Sequence, residues 1–349
     1  MNKLTKVGLS ALCGSLAAVS AANAGEMTVT GGVDMSWMSK DGGDGVTGNP
    51  IGMGSNLTFS GSGELDNGWA FGVTVAMLNQ DAYSTTVVNL DMNSLGSLNF
   101  NQGDSGNGMA AMDDKMPTAW EEPWGMGLGT GVQLVKGVGT NVNVQYSLPT
   151  VAGISLKVAS APDMGAAQTN DKGASGGTDS DSTGAGYDAT ININPSFGTE
   201  ILSGLNLYVG GHMTEHHNQT AGLNNRYEGV GGITYSLGPI AIGYAASGIS
   251  TGNATTATDV DYYKNSMYGV SFNVNDDLSV SYGSHESQQG FVNETDAASV
   301  DLEVESWQIA YTMGGASIRY AKSDVDNAAY QTAAAYDKEA RVISVSLAF

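Results

Sequence analysis

The sequence predicts an all-β protein: a 16-stranded antiparallel transmembrane β-barrel with long extracellular loops and short periplasmic turns. Three observations support this prediction: an export signal at the N-terminus, strands that alternate between apolar and small or polar residues, and connections that alternate between short turns and long polar loops. Spanning strands of this kind escape hydropathy searches, because only every second residue needs to be apolar.

Residues 1–24 contain the three parts of a secretory signal. Lys3 and Lys6 precede an uncharged apolar segment, and Ala22-Asn23-Ala24 offers a cleavage site before the next glycine. We therefore expect residues 1–24 to be a signal peptide and residues 25–349 to form the barrel. The only cysteine lies within the predicted signal, so neither disulfides nor thiol chemistry are expected in the mature chain.

The composition excludes several classes of protein. The formal net charge is −22, and an acidic surface of this kind repels nucleic acid and attracts cations. Charged residues make up 14% of the chain, well below the roughly 25% that is typical of soluble domains. The chain has 49 glycines but only 7 prolines, whereas disordered low-complexity chains are usually richer in proline.

The last residues of the chain show the clearest two-residue period. Apolar Ile343, Val345, Leu347 and Phe349 alternate with Val342, Ser344, Ser346 and Ala348, a second set that is mostly small and polar. The same period recurs at residues 27–37, 142–147, 154–159 and 278–283. No long segment shows a 3.6-residue apolar stripe, so the alternation predicts strands rather than helices.

The connections set the number of strands. Short turns are predicted at residues 65–68, 93–96, 149–153, 194–203, 238–239, 275–277 and 314–315. Loops are predicted at residues 40–50, 80–84, 103–137, 162–184, 215–225, 251–261, 286–299 and 324–337. Seven turns and eight loops in alternation separate sixteen strands, and a barrel of about 16 strands leaves an aqueous channel. A soluble two-sheet sandwich also alternates, but it lacks this rhythm of connections.

Three short pieces of the chain resemble a known family. They are the terminal Leu347-Ala348-Phe349, the hairpin Asn67-Gly68-Trp69-Ala70-Phe71-Gly72, and the segment Leu95-Gly96-Ser97-Leu98-Asn99-Phe100-Asn101-Gln102-Gly103-Asp104. Together they resemble the Gram-negative general diffusion porins, with the alphaproteobacterial branch as one candidate. The resemblance covers the ends and the first third of the chain, while the middle is similar only in its rhythm of strands.

The resemblance implies a channel rather than an enzyme. It implies a homotrimer in the cell outer membrane, surrounded by lipid and lipopolysaccharide, in which each barrel passes small hydrophilic solutes. It also implies that loop 3, predicted at residues 103–137, folds into the barrel and narrows it.

Loop 3 is acidic. Its candidate constriction residues are Asp104, Asp113, Asp114, Glu121 and Glu122, with Lys115 as a basic neighbour. Rings of carboxylates select for cations, so the loop predicts a cation-favouring pore. The alternative is that these acids lie in a hydrated outer loop and do not line the pore.

The wall of the predicted barrel offers few basic partners for this loop. Where many members of the family carry an arginine at the entry to loop 3, this chain has Gln102. Strand parity directs Asp34, Lys157, Arg226 and Arg319 into the lumen and places Arg341 at the outer rim of the lipid face. The balanced field of acidic loop and basic wall is therefore not expected here.

Other candidate sites are weak. His212 and His216 would lie about 13 Å apart along one strand face, too far to share one ion. Asp179-Ser180-Asp181 could hold calcium loosely but lacks the regular spacing of a calcium loop, and we expect no cofactor. Two alternatives remain open beside the channel: a secreted β-rich adhesin or surface structural protein without a pore, and an outer-membrane enzyme.

Overall fold

The structure is a computed structural model. It describes residues 27–42, 49–79, 81–164, 183–195, 200–216, 223–252 and 255–348. The predicted signal peptide at residues 1–24, the Asp179-Ser180-Asp181 segment and the terminal Phe349 lie outside the described residues.

The described residues form sixteen strands that close into one antiparallel barrel, as the sequence predicts. The strands are β1 (Thr28–Asp41), β2 (Ile51–Glu64), β3 (Ala70–Leu78), β4 (Asp81–Asp91), β5 (Ser97–Gln102), β6 (Asn143–Ser147), β7 (Ile154–Ala161), β8 (Thr183–Ile193), β9 (Leu205–His216), β10 (Arg226–Leu237), β11 (Ile240–Ser250), β12 (Val260–Asn273), β13 (Leu278–Phe291), β14 (Val300–Met313), β15 (Ala316–Asp326) and β16 (Lys338–Ala348). Each strand pairs with its neighbours in sequence, and β1 closes the wall against β16 from Gly32 and Ala348 to Asp41 and Glu339.

Helical elements are few and short. A single turn of α-helix, α1 (Glu200–Ser203), lies between β8 and β9, and 3-10 helices occur at Asn93–Leu95, Gly108–Met112, Pro123–Gly125, Ala328–Tyr330 and Ala334–Tyr336. Within the described ranges, no helix is long and apolar enough to cross a membrane.

Four predicted loop boundaries need correction by more than two residues. The loop predicted at 286–299 begins only after Phe291, and the loop predicted at 324–337 only after Asp326, because β13 and β15 continue to those residues. The second loop is tighter than the predicted 80–84, because β3 ends at Leu78 and β4 begins at Asp81, where the two residues pair. Loop 3 runs from residue 103 to residue 142 rather than to 137, because β6 begins only at Asn143. The extra residues belong to the loop because Val138 binds the Asp188 side chain, and the Asn141 N–H donates to the Val138 carbonyl oxygen in a turn.

Alternation places apolar side chains outside and small or polar side chains inside. On β16, Ile343 and Leu347 are exposed on the outer face, whereas Ser344 is buried on the inner face. Val342 shares the inner face with Ser344 and is also buried, because it packs in an apolar cluster formed with loop 3 and β14–β16. Beneath loop 3 the inner face therefore carries apolar side chains as well as polar ones.

The wall is uneven in height. Strands β12, β13 and β14 have 14 residues each, whereas β5 has 6 and β6 has 5. β3 ends opposite Asn56, in the middle of β2, and Asn79 bonds the backbone of Ser55 just above it. Among the described residues, positions 51–54 of β2 consequently have no strand partner on the β3 side. We call the sector of shorter strands β3 to β7, together with the 14-residue β2 at its edge, the low wall.

Candidate functional site

Loop 3 lies inside the barrel as two arms. The outgoing arm, residues 107–124, follows the inner face from β6 and β8 towards β14, where the backbone N–H groups of Trp120 and Glu121 donate to Gln308 Oε1, both at 3.0 Å. The return arm, residues 126–138, comes back past β16, β12 and β10 to β8. There the Val138 N–H donates to Asp188 Oδ2 at 3.0 Å. The loop is therefore a lining of the wall from β8 to β16, and it is not a hydrated outer loop.

Inward-facing glycines provide the space for the outgoing arm. A Cβ on Gly243 would lie 2.7 Å from Pro117 Cδ, and one on Gly269 would lie 2.9 Å from the Pro117 carbonyl oxygen. A Cβ on Gly283 would lie 2.9 Å from Pro123 Cγ. We call these three residues of β11, β12 and β13 the glycine bed.

Two apolar clusters hold the arms against the wall. The outgoing arm contributes Met109, Met112 and Met116 to a cluster with Tyr208, Val230, Ala245, Ile249 and Met267 of the wall and Val135 of the return arm. The return arm contributes Leu128 to a second cluster with Leu302, Val304, Val325, Ala328, Tyr330, Ala340 and Val342. Burial of these side chains removes apolar surface from the water of the lumen, which favours docking by about 25 cal/mol per Å².

The acids of loop 3 differ in their exposure. Asp114 is exposed with Lys115, whereas Asp113, Glu121 and Asp104 are half-buried, the last at the base of the loop. Burial raises the pKa of Asp113 to about 6, and the neighbouring Asp114 charge adds to this effect. Burial also raises the pKa of Glu121 above its ordinary value.

Glu122 does not belong to the constriction, contrary to the prediction from the sequence. Its side chain is buried, with 2% of the residue exposed, and its Oε1 accepts the Met116 N–H at 3.1 Å. Burial raises the pKa of Glu122 to about 9, with a hydrogen bond to Asp114 and the Asp114 charge as further causes. At neutral pH the group is therefore protonated and carries no charge, so it stabilises the loop and does not line the solute path.

Arg319 is a basic residue of the wall that contacts loop 3. Its guanidinium forms an ion pair with Asp34 across the β1–β16 seam and a 3.0 Å hydrogen bond with Ser344. The same guanidinium lies 4.9 Å from the centre of the Trp120 ring, and its charge acts on Glu121. Most of the Arg319 charge is thus compensated within the wall.

The other predicted basic residues lie apart from the acidic part of the loop. Arg226 faces inward at the top of β10, where its Nε donates to Glu228 Oε1 at 2.7 Å. Lys157 faces the lumen on β7, opposite Ser147. Arg341 is directed outward at the rim and pairs with Glu339 at 2.5 Å.

Strands β2 to β6, across the lumen from loop 3, have no basic residue, and Lys157 of β7 stands beside them. Residues 41–114, which include β2 to β5, contain neither lysine nor arginine, and β6 contains none. The inner face of these strands carries amides and hydroxyls, among them Asn56, Thr58, Ser60, Thr74, Asn89 and Asn99. The lumen therefore passes between an acidic loop and a hydrogen-bonding wall whose strands β2 to β6 carry no positive charge.

Some residues that hold the site were not identified from the sequence. Asp188, Glu228, Gln145 and Gln308 accept backbone N–H groups of loop 3. Alternation along β8 and β10 places Asp188 and Glu228 on the inner face, and this signal could have found them. His212, considered above as a metal ligand, instead bonds Asp188 and Thr214, and no group of three or more potential metal ligands occurs among the described residues.

The chain is similar to known proteins along nearly its whole length. A family model described as Gram-negative porin matches residues 8–343. By sequence, no curated protein matches the chain. Among solved structures, Salmonella typhi OmpF in complex with daunomycin is 11% identical with a TM-score of 0.65, over 93% of this chain and 98% of that chain.

Two further solved structures show the same fold. The anion-selective porin from Comamonas acidovorans is 13% identical with a TM-score of 0.60, over 93% of this chain and 99% of that one. The trimer form of Vibrio cholerae OmpT is 11% identical with a TM-score of 0.62, over 94% of this chain and 100% of that one. Identities this low show a shared fold and leave the selectivity to be argued from the residues of the lumen.

Proposed function

The chain belongs to the Gram-negative porin family, and on this premise we propose that it is a water-filled channel of the outer membrane that favours cations. Ions and small hydrophilic solutes would cross it by passive diffusion. The family and the closed barrel support a channel rather than an adhesin or an enzyme.

The cation preference rests on one observation, the asymmetry of charge across the lumen. Asp113, Asp114 and Glu121 stand on loop 3, and the facing strands β2 to β6 have no lysine or arginine. Arg319 and Arg226 are each paired with a carboxylate. A lumen with unbalanced carboxylates concentrates cations and repels anions.

Reversal potentials of purified protein in a planar bilayer with a salt gradient test this proposal. We expect a potential of the sign for cation preference, and we expect the variant with Asp114→Asn and Glu121→Gln to reduce it. Asp277→Asn, an exposed acid in the turn before β13, serves as the matched control and should change nothing. Absence of conductance steps would refute the channel, and an anion-preferring potential would refute the selectivity.

We further propose a homotrimer in which the low wall faces the neighbouring protomers, while other strands face lipid and lipopolysaccharide. Backbone groups at a strand edge find no hydrogen-bond partner in lipid, and positions 51–54 of β2 present such an edge. Met53 and Ile51 beside it are 75% and 65% exposed. The trimer form of the similar OmpT adds support.

Native mass measurement in detergent tests the trimer. Met53→Glu should convert trimers to monomers whose barrels still migrate as folded in unheated gels. Met313→Glu introduces the same charge at a methionine that is 65% exposed, beside the turn between β14 and β15 and away from the low wall, and it should leave the trimer intact. Equal trimer content in both variants would place the interface elsewhere.

A further inference from the structure

We propose that Asp188 is the positioning residue that fixes loop 3 in the lumen, by binding both arms of the loop with one carboxylate. The inference rests on the proposed channel function, because its effect is seen in the path for solutes. Asp188 lies on the inner face of β8 and is 4% exposed. Its Oδ2 accepts the Met109 N–H at 2.7 Å and the Val138 N–H at 3.0 Å.

The backbone of both arms is shaped around this carboxylate. Gly108 precedes Met109 and has φ +62°, and Gly137 precedes Val138 and has φ +55°. Glycine adopts this left-handed region without strain. A Cβ on either glycine would also overlap Asp188 Oδ2. The two glycines therefore permit both the turn of the chain and the close approach of the carboxylate.

The wall orients Asp188 towards the loop. His212 Nδ1 lies 2.5 Å from Asp188 Oδ1, and His212 Nε2 lies 2.6 Å from Thr214 Oγ1. Because His212 occupies Oδ1, the other oxygen is left for the two backbone N–H groups. A carboxylate oxygen has two lone pairs, so Oδ2 can accept both N–H groups.

Glu228 has a different part in the attachment. Its Oε2 accepts the N–H groups of Lys136 at 2.6 Å and Gly137 at 3.1 Å, both on the return arm. Asp188 differs because it binds the beginning of the outgoing arm and the end of the return arm at once. Loss of Asp188 would leave two buried N–H groups without an acceptor and would allow the arms to separate.

Single-channel recording of two variants tests the proposal. Asp188→Ala should replace uniform conductance steps by noisy steps with sublevels, and it should admit larger oligosaccharides in liposome swelling. Asp188→Asn should restore uniform steps in part, because its carbonyl oxygen still accepts backbone N–H groups. Asn192→Ala, on the same face of β8, is the control and should behave as the wild type.

Gly137→Ala perturbs the same contact from the side of the loop, so the proposal can still be tested if Asp188→Ala does not fold. Gly139→Ala is its matched control, because Gly139 has φ +52° but a Cβ there would lie 3.1 Å from Lys136 O and away from Asp188. We expect noisy steps only in Gly137→Ala, with unchanged heat-modifiable migration in both variants. The double variant with Asp188→Ala should be no noisier than either single variant.

Uniform steps in both Asp188→Ala and Gly137→Ala, or equal noise in Gly137→Ala and Gly139→Ala, would overturn the positioning role. Failure of the proposed function is a separate result, because it would appear in the wild type as absent conductance or anion preference.

Discussion

The carboxyl of Glu122 is buried beneath loop 3, and this burial raises its pKa to about 9. Asp114 and Glu121 are close to it in sequence and still face water at least in part. Residue type and spacing therefore do not determine which acids are charged in the lumen. The depth of each side chain in the docked loop does, and burial disfavours the charged form.

A pH dependence of loop docking follows from Glu122. The docked loop holds a proton on this group up to a pH of about 9, whereas the released loop loses it near the ordinary value of 4.5. Between these two pKa values, docking of the loop is coupled to uptake of a proton by Glu122. Rising pH therefore weakens docking across this window. We expect open-channel noise of the wild type to increase towards pH 9 and that of Glu122→Gln to stay constant. At neutral pH this variant should keep the wild-type reversal potential, and a reduced cation preference would contradict the assignment.

A second pH effect follows from Asp113, whose pKa burial raises to about 6. Below this value the group is neutral, so the cation preference should fall as the pH is lowered from 7.5 to 5. Asp113→Asn should have the lower preference already at pH 7.5 and should lose this step of the titration. A wild-type reversal potential that is flat over this range would show that Asp113 is not sensed by permeant ions.

At the scale of elements, loop 3 and the strands beneath it are shaped for each other. The glycine bed lets Pro117 and Pro123 approach the backbone of β11 to β13 closely. Ordinary strand side chains at these positions would favour the strand and would displace the loop.

Gly269→Val tests this relation, because a Cβ there meets the Pro117 carbonyl oxygen and not a flexible side chain. We expect the barrel to fold and the loop to move towards the low wall, with a lower single-channel conductance. Gly248→Val on the outer face of β11 is the control, since a Cβ there would be 3.8 Å from the Tyr263 carbonyl oxygen, an ordinary contact. Equal conductance in the two variants would contradict the role of the bed.

The sequence predicts the elements better than their contacts. Alternation and the rhythm of connections predict sixteen strands because each signal is local in the chain. The attachment of loop 3 is not local: Met109 is 79 residues from Asp188, and Trp120 is 188 residues from Gln308. Strand parity shows that Asp188 faces inward, but only the closed wall shows which backbone groups it meets. The burial of Glu122 could not be predicted for the same reason, because it depends on how loop 3 docks in the closed wall.

At the scale of the whole molecule, charge is distributed unequally around the lumen. The chain carries a net charge of −22, and its basic residues are absent from positions 41–114. The resulting field acts through water in a lumen open to salt, so mobile ions screen it over a Debye length of about 10 Å at 0.1 M and about 3 Å at 1 M.

Cation preference should therefore decrease as salt concentration rises. We expect permeability ratios from reversal potentials to be larger in gradients centred near 0.1 M than in gradients centred near 1 M. A sieving mechanism based on size alone would give the same ratio in both, and that result would contradict an electrostatic origin.

The attachment of loop 3 also has a consequence for the order of events during assembly. Its contacts reach β8, β10, β14 and the connection between β15 and β16 (residues 327–337), and the Lys40 side chain of β1 donates to its Gly127 carbonyl oxygen. These strands surround one lumen only after β1 has met β16, so a partly inserted barrel offers the loop no complete surface. The pore would thus be wide when it first closes and would narrow afterwards, and the nascent channel would for a time be more permeable than the finished one.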